Sequence, residues 1–224
     1  MNIEPVGYIK TDFTSKFGIP RQSGRIKGNI GEIIFKKPYN SYDYIKGIEQ
    51  FSHLWIIWGF SENENKEKHA TVRPPRLGGN KRIGVFASRS PFRPNNLALS
   101  CVKLVKINRT GNNYSLIIDG ADMLNGSPVF DIKPYIKYTD SVSQAKSGFA
   151  QDAEHHRLTI TSGAELLDIL PQEKRETLAA VLQDDPRPSY HNDPKRIYGF
   201  EYSGYEIKFR VNENELQITD ITQL

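Results

Sequence analysis

Residues 99–119, LSCVKLVKINRTGNNYSLIID, carry the pattern from which the fold is read. Apolar-rich runs at 99–107 and 114–119 flank Gly111-Asn112-Asn113, which has the composition of a tight turn, so the stretch predicts an antiparallel hairpin. Outward from it, further short apolar runs at 6–11, 26–36, 54–60 and 83–87 are separated by turn signals, the spacing of a β-barrel or sandwich. Ser41 stands where an N-cap would open a short helix reaching residue 50. Residues 1–140 therefore predict an N-terminal β-barrel domain with a short helix. The stretch 141–156, SVSQAKSGFAQDAEHH, is small and polar without apolar periodicity and reads as a linker or surface loop. Beyond it, Pro171 opens a helical pattern carried by Leu178, Val181 and Leu182, and alternating runs follow at 198–202, 205–212 and 215–221. Residues 157–224 thus predict a small α+β domain, and the whole chain a mainly β fold.

Charge is distributed unevenly. The net charge of the 224 residues is +4, yet residues 1–140 hold 21 Lys/Arg against 12 Asp/Glu while the remainder is net acidic. Between Lys68 and Ile118 ten basic residues occur with no Asp or Glu. A one-signed stretch of that length is a field aimed at an anionic partner, which makes Arg73, Arg76, Lys81, Arg82 and Arg93 candidate contacts to nucleic-acid phosphates. The five histidines lack the spacing of a zinc site, so no metal is expected. Cys101 is the only cysteine, which excludes an internal disulfide, and no apolar leader is visible, so a cytoplasmic protein is expected. The longest apolar run, 54–60, is too short to span a bilayer. No P-loop or GxGxxG motif occurs, so any nucleotide-like cofactor must be held another way.

Three segments carry chemistry. GIPRQSG, 18–24, is a shaped loop in which Arg21 and Gln22 supply donors and an acceptor. GVFASRSPFRPNN, 84–96, leaves a strand for a proline-stiffened turn bearing Ser88, Arg89, Arg93 and Asn95, the kind of place where sites sit. DMLNGSPVFDIKPYI, 122–136, contains the tight turn Asn125-Gly126 and then Asp131, Lys133 and Tyr135 at period two. In a strand those three share a face, where an acid, an amine and a phenol can handle a proton; a plain Asp–Lys surface pair is the competing reading.

Taken in order, with RPPRLGGN (73–80) and DPRPSY (185–190), these segments resemble the β-barrel, S-adenosylmethionine-dependent tRNA adenine-N6 methyltransferases, and the similarity covers nearly the whole chain. The resemblance implies a homodimer that binds S-adenosyl-L-methionine near the subunit boundary and methylates N6 of the threonylcarbamoyl-adenosine just 3′ of the anticodon in tRNA. Pro20, Arg21 and Gln22 match the family's cofactor loop, and Ser61, Glu62, Arg89, Leu99, Leu124, Asn125, Gly126 and Ser127 stand at further cofactor positions. Ser61-Glu62 replaces the usual His-Gln, Asn96-Leu97-Ala98 the usual Pro-Ile-Gly, and Asn125-Gly126-Ser127 the usual Asp-Gly-Thr. On this reading Asp131 is the candidate proton acceptor, Lys133 and Tyr135 orient it or bind the carbamoyl oxygen, and Asn95 holds the base edge. Phe86 and Phe92 could stack on the base or line the cofactor's sulfonium, with core packing the stronger expectation for Phe86. Two alternatives stay open, a non-catalytic tRNA/RNA-binding module and an enzyme acting on another acceptor.

Overall fold

The computed structural model describes residues 2–63, 67–74, 77, 80–154, 157–187 and 193–224. In chain order the first elements are β1 (Gly7–Lys10), β2 (Ile30–Phe35), β3 (His53–Gly59), β4 (Thr71–Val72), β5 (Ile83–Gly84), β6 (Leu97–Thr110), β7 (Asn113–Asp119), β8 (Pro128–Pro134) and the single-turn α1 (Lys137–Asp140). They are followed by β9 (Thr159–Ser162), α2 (Gln172–Gln183), β10 (Tyr198–Tyr202), β11 (Tyr205–Asn212) and β12 (Glu215–Gln223).

Six strands close a barrel in the order β1-β2-β7-β6-β3-β8, with β8 returning to β1 through Gly7–Val129 and Tyr8–Pro128. The hairpin at 99–119 lies at its centre as β6 and β7. The alternation that predicts the strands also fills the interior: Leu54, Ile56 and Trp58 of β3 point in with Ile9, Ile33, Val102, Leu116, Ile118 and Val129, while Trp55 and Ile57 face out. One irregularity decides the orientation of an acid. Ile57 pairs with Asp131 but Trp58 pairs with Val129, so Phe130 is an extra residue on β8. Strict period two would have sent Val129 and Asp131 to the same face. The bulge instead buries Val129 and leaves Asp131 outside.

Several predicted elements differ from the observed ones. In place of a helix over 41–50 there are two 3-10 turns, Tyr42–Tyr44 and Ile48–Gln50, because Gly47 is left-handed (φ 88°) and Ser41 makes no side-chain cap. The strand expected at 83–87 stops at Gly84 and becomes a 3-10 turn, Val85–Ala87, in which only Val85 is buried. Phe86 is therefore not a core residue but 78% exposed. Residues 141–151 are exposed throughout, with a 3-10 segment at Gly148–Glu154. His155, His156 and His191 lie outside the described residues.

The C-terminal sheet runs β10-β11-β12-β9, with β9 parallel to β12, and α2 lays Leu178, Val181 and Leu182 into its core. That core is completed from the N-terminal part of the chain. Phe13 and Ile26 are buried in it, Phe17 and Ile19 pack against it, and Gly18 (φ +96°) sits so close to the Phe200 ring that a Cβ there would come within 2.3 Å. Thr177 donates to the Gly28 carbonyl at 3.1 Å, Ser203 N–H to the Asp12 carbonyl at 2.9 Å, and Arg25 pairs with Asp184. Residues 11–28, between β1 and β2, are thus bonded to both units.

Candidate active site

β6 is longer than either neighbour can cover. It pairs with β3 through Leu97 to Lys103 and with β7 only from Lys103 to Thr110, so one edge of its first half has no strand beside it. Three of the segments singled out from the sequence gather at that open edge. From the loop 18–24, Ser23 Oγ accepts the Cys101 N–H at 3.1 Å, and Gly24 N–H donates to Gly120 O at 3.0 Å. From the turn after β5, Arg89 donates to Gln22 Oε1. From the segment after β7, Asp122 accepts the Ser100 hydroxyl at 2.6 Å, and Ser100 in turn accepts Trp58 Nε1–H at 2.9 Å.

Asp122 is the carboxylate that sequence reasoning passed over. Burial pushes its pKa from the ordinary carboxylate value up to about 6, against the opposing pull of the Ser100 hydroxyl, its own and the Ser23 amides, and the Arg89 charge. Its place in the site depends on Ser100, twenty-two residues away on β6, and no local spacing announces that bond.

The turn that follows is held by backbone. Gly126 (φ +80°) donates to Ile9 O at 2.8 Å, Asn125 N–H to Phe13 O at 2.8 Å, and Asn125 Oδ1 accepts Thr11 N–H at 3.1 Å. Ser127 N–H closes the turn on Leu124 O at 3.1 Å, while the buried Ser127 Oγ has no partner. Pro20 is buried and Arg21 reaches the carbonyls of Asp185, at 3.2 Å, and Arg187. Ser61 and Glu62 form a 3-10 turn after β3, where Glu62 pairs with Lys16 at 3.5 Å.

The second group lies across the outer face of the barrel. Asp131 on β8 is level with Ile57 on β3, and Ile57 with Leu99 on β6; one row along, Lys133 is level with Trp55 and Trp55 with Cys101. At about 4.8 Å between strands, Asp131 stands roughly 10 Å from Leu99. Leu99 is 52% exposed, an apolar side chain beside the gathered polar ones. Asp131 and Lys133 pair at 3.0 Å, both half-exposed. Tyr135 lies just past the strand, its ring 5.7 Å from Trp55 and 6.2 Å from His53, and Trp55 Nε1–H donates to Asp140 at 3.0 Å. Burial, and then the Asp140 charge, push the Cys101 thiol up, which leaves it protonated and poor as a nucleophile.

The basic residues divide. Arg73, Lys81 and Arg82 are exposed at the end of the β4–β5 ribbon, which is tied to the Arg89 loop through His69 N–H and Phe92 O at 3.4 Å. Arg93 turns inward, one guanidinium nitrogen donating to Ser88 O at 3.1 Å and to Ser90 O at 3.4 Å. Asn95 is exposed beside Asn96, whose side chain donates to Asn63 O at 2.9 Å. Arg76 lies outside the described residues. Among the described residues no three His, Cys, Asp or Glu are grouped to hold a metal ion, and no helix is long and apolar enough to cross a membrane.

Known proteins share both the sequence and this architecture. An Escherichia coli protein named tRNA (adenine(37)-N6)-methyltransferase is 36% identical over 223 residues, covering 96% of this chain and 95% of its own length. A Pseudomonas aeruginosa protein named "Putative S-adenosylmethionine-dependent methyltransferase RcsF" is 36% identical over 206 residues, 88% of this chain and 87% of its own. The crystal structure of TrmO from Pseudomonas aeruginosa superposes with a TM-score of 0.78 at 26% identity, covering 99% of this chain and 98% of that one. Residues 8–141 match the tRNA-methyltransferase O N-terminal domain and residues 156–224 the TrmO C-terminal domain, and the chain belongs to the tRNA-methyltransferase O family.

Proposed function

We propose that the chain transfers a methyl group from S-adenosyl-L-methionine to N6 of adenine 37 in tRNA, and that the adenine it accepts carries a threonylcarbamoyl group. The observation that carries the reading is the gathering of the 18–24, 85–93 and 120–127 segments on the open edge of β6, with an outer-face row leading from Leu99 to Asp131. The residues present fit the cofactor. A guanidinium at Arg89, an amide at Gln22, the unpartnered buried Ser127 hydroxyl and the exposed Leu99 side chain offer the mixed polar and apolar surface that an amino-acid head, a ribose and an adenine require. Pro20, Arg21 and the turn Leu124, Asn125 and Gly126 shape its walls, and Ser61-Glu62, held through Lys16, closes one end.

When bound, the cofactor supplies a sulfonium methyl group for in-line displacement. The protein's part is alignment and exclusion of water. Arg89 and Gln22 fix the loop that faces the methyl donor. Lys133, with Tyr135 and Asp131 about it, holds the carboxylate and carbamoyl oxygens of the substrate's extension, and Asn95 meets the base edge. Exposed Phe86 offers a ring face to an anticodon-loop base, Arg73, Lys81 and Arg82, with Arg76, bind phosphates, and Arg93 braces the Arg89 loop from within. Residues 1–140 are the catalytic unit, 141–156 the connection and 157–224 the accessory unit that steadies the cofactor loop. A cytoplasmic homodimer completes the reading.

Calorimetry tests the cofactor step. S-adenosyl-L-methionine should bind the folded protein, and Arg89→Ala, which removes a charge-assisted donor, should weaken it about tenfold or more. A folded wild-type protein that takes up no cofactor while still binding tRNA would favour a non-catalytic RNA-binding module.

A further inference from the structure

The acceptor nitrogen must lose a proton as it is methylated, and Asp131 and Asp122 differ in fitness for that task. Asp131 is committed: Lys133 neutralises it at 3.0 Å and its own neighbour Ile132 N–H bonds it at 2.9 Å, on an exposed surface. Asp122 is half-buried, lies where three segments of the proposed cofactor site meet, and stands two residues before the Leu124–Ser127 turn. It sits at the end of a hydrogen-bonded chain, Trp58 Nε1–H to Ser100 Oγ to Asp122 Oδ1, beside the open edge of β6.

We propose that Asp122 accepts the proton given up by the target nitrogen. The inference rests on the methyltransferase reading above. In the step, the nitrogen lone pair forms the new nitrogen–carbon bond, sulfur keeps the electron pair of the sulfur–carbon bond that breaks, and the nitrogen's proton passes to a carboxylate oxygen of Asp122. The product is a neutral carboxylic acid, which then returns the proton to water. The groups facing Asp122 are the Ser100 hydroxyl from β6 with Trp58 of β3 behind it, the Ser23 amide from the 18–24 loop, and the Arg89 guanidinium from the turn after β5. Their combined effect, with burial largest, is a carboxylate that is ionised at neutral pH yet more basic than an ordinary one, the match a general base needs.

The test combines a titration with a rate. Carboxyl carbon NMR of the cofactor-free protein should show Asp122 titrating near pH 6, and single-turnover methyl transfer at saturating cofactor should fall as pH drops through the same value. Asp122→Asn should lower the rate about 10²–10⁴-fold and abolish that acid limb, while the cofactor dissociation constant stays within about threefold. Ser100→Ala removes a bond that favours the carboxylate, so the limb should move to higher pH. Asp122→Asn at near wild-type rate, or a rate loss matched by lost cofactor affinity, would overturn the assignment. A wild-type protein that binds cofactor and tRNA but transfers no methyl group would instead overturn the methyltransferase reading itself.

Discussion

A tRNA whose adenine 37 lacks the threonylcarbamoyl group is expected to accept methyl at least about a hundredfold more slowly than the modified tRNA, at saturating cofactor. The reason is the row of outer-face residues. Asp131 stands two strand spacings, roughly 10 Å, from Leu99, with Lys133 one row farther along and Tyr135 beyond it, a reach suited to the far end of an extended side group while its nitrogen lies at the open edge of β6. On the proposed reading, an amine and a phenol there bind a part of the substrate remote from the reacting atom, and that binding aligns the nitrogen with the methyl group. A truncated substrate loses the alignment, so turnover falls and not affinity alone. Matched tRNAs with and without the extension, assayed in single turnover, measure the effect directly. Equal rates would remove these three residues from substrate recognition and leave the cofactor edge untouched.

Phe13→Ala is expected to destabilise the whole protein by about 3–5 kcal/mol. Phe13 belongs by sequence to the barrel half, between β1 and β2, but its fully buried ring lies 5.3 Å from the Tyr202 ring in the C-terminal core. The same core anchors Ile26 and the flank of Gly18, the two ends of the loop that carries Pro20, Arg21 and Gln22. Denaturant unfolding should therefore show one cooperative transition in the wild type and one, at lower midpoint, in the variant. A variant in which the C-terminal unit melts first and the barrel is unaffected would show the two cores to be independent.

How much of this was legible in the chain follows from which contacts are local. The 99–119 hairpin is legible from two apolar runs parted by a turn, and the strands expected at 205–212 and 215–221 from alternation and a turn within one segment, the last running on to Gln223. The helix expected over 41–50 from Ser41 as an N-cap is absent because Ser41 makes no cap and the left-handed backbone at Gly47 splits the segment. β9 was missed: four mostly exposed residues give little alternation, and a parallel partner 56 positions on gives none. Asp131 and Lys133 were read correctly as neighbours on one face. Their outward direction was not legible, because it depends on the bulge at Phe130. Asp122 escaped notice for a similar reason: its character comes from Ser100 and Ser23, which only the barrel's register and the anchored 18–24 loop bring to it.

The central claim is that this chain methylates one nitrogen of one nucleotide. Purified wild-type protein, S-adenosyl-L-methionine and tRNA carrying the threonylcarbamoyl group should be incubated, the tRNA digested, and its nucleosides resolved by mass spectrometry. A single new product is expected, the threonylcarbamoyl-adenosine of position 37 heavier by one methyl group, with fragmentation placing that group on N6 and with the other nucleosides unchanged. An unaltered position 37 in the presence of bound cofactor, or a methyl group found on any other nucleotide, would contradict it.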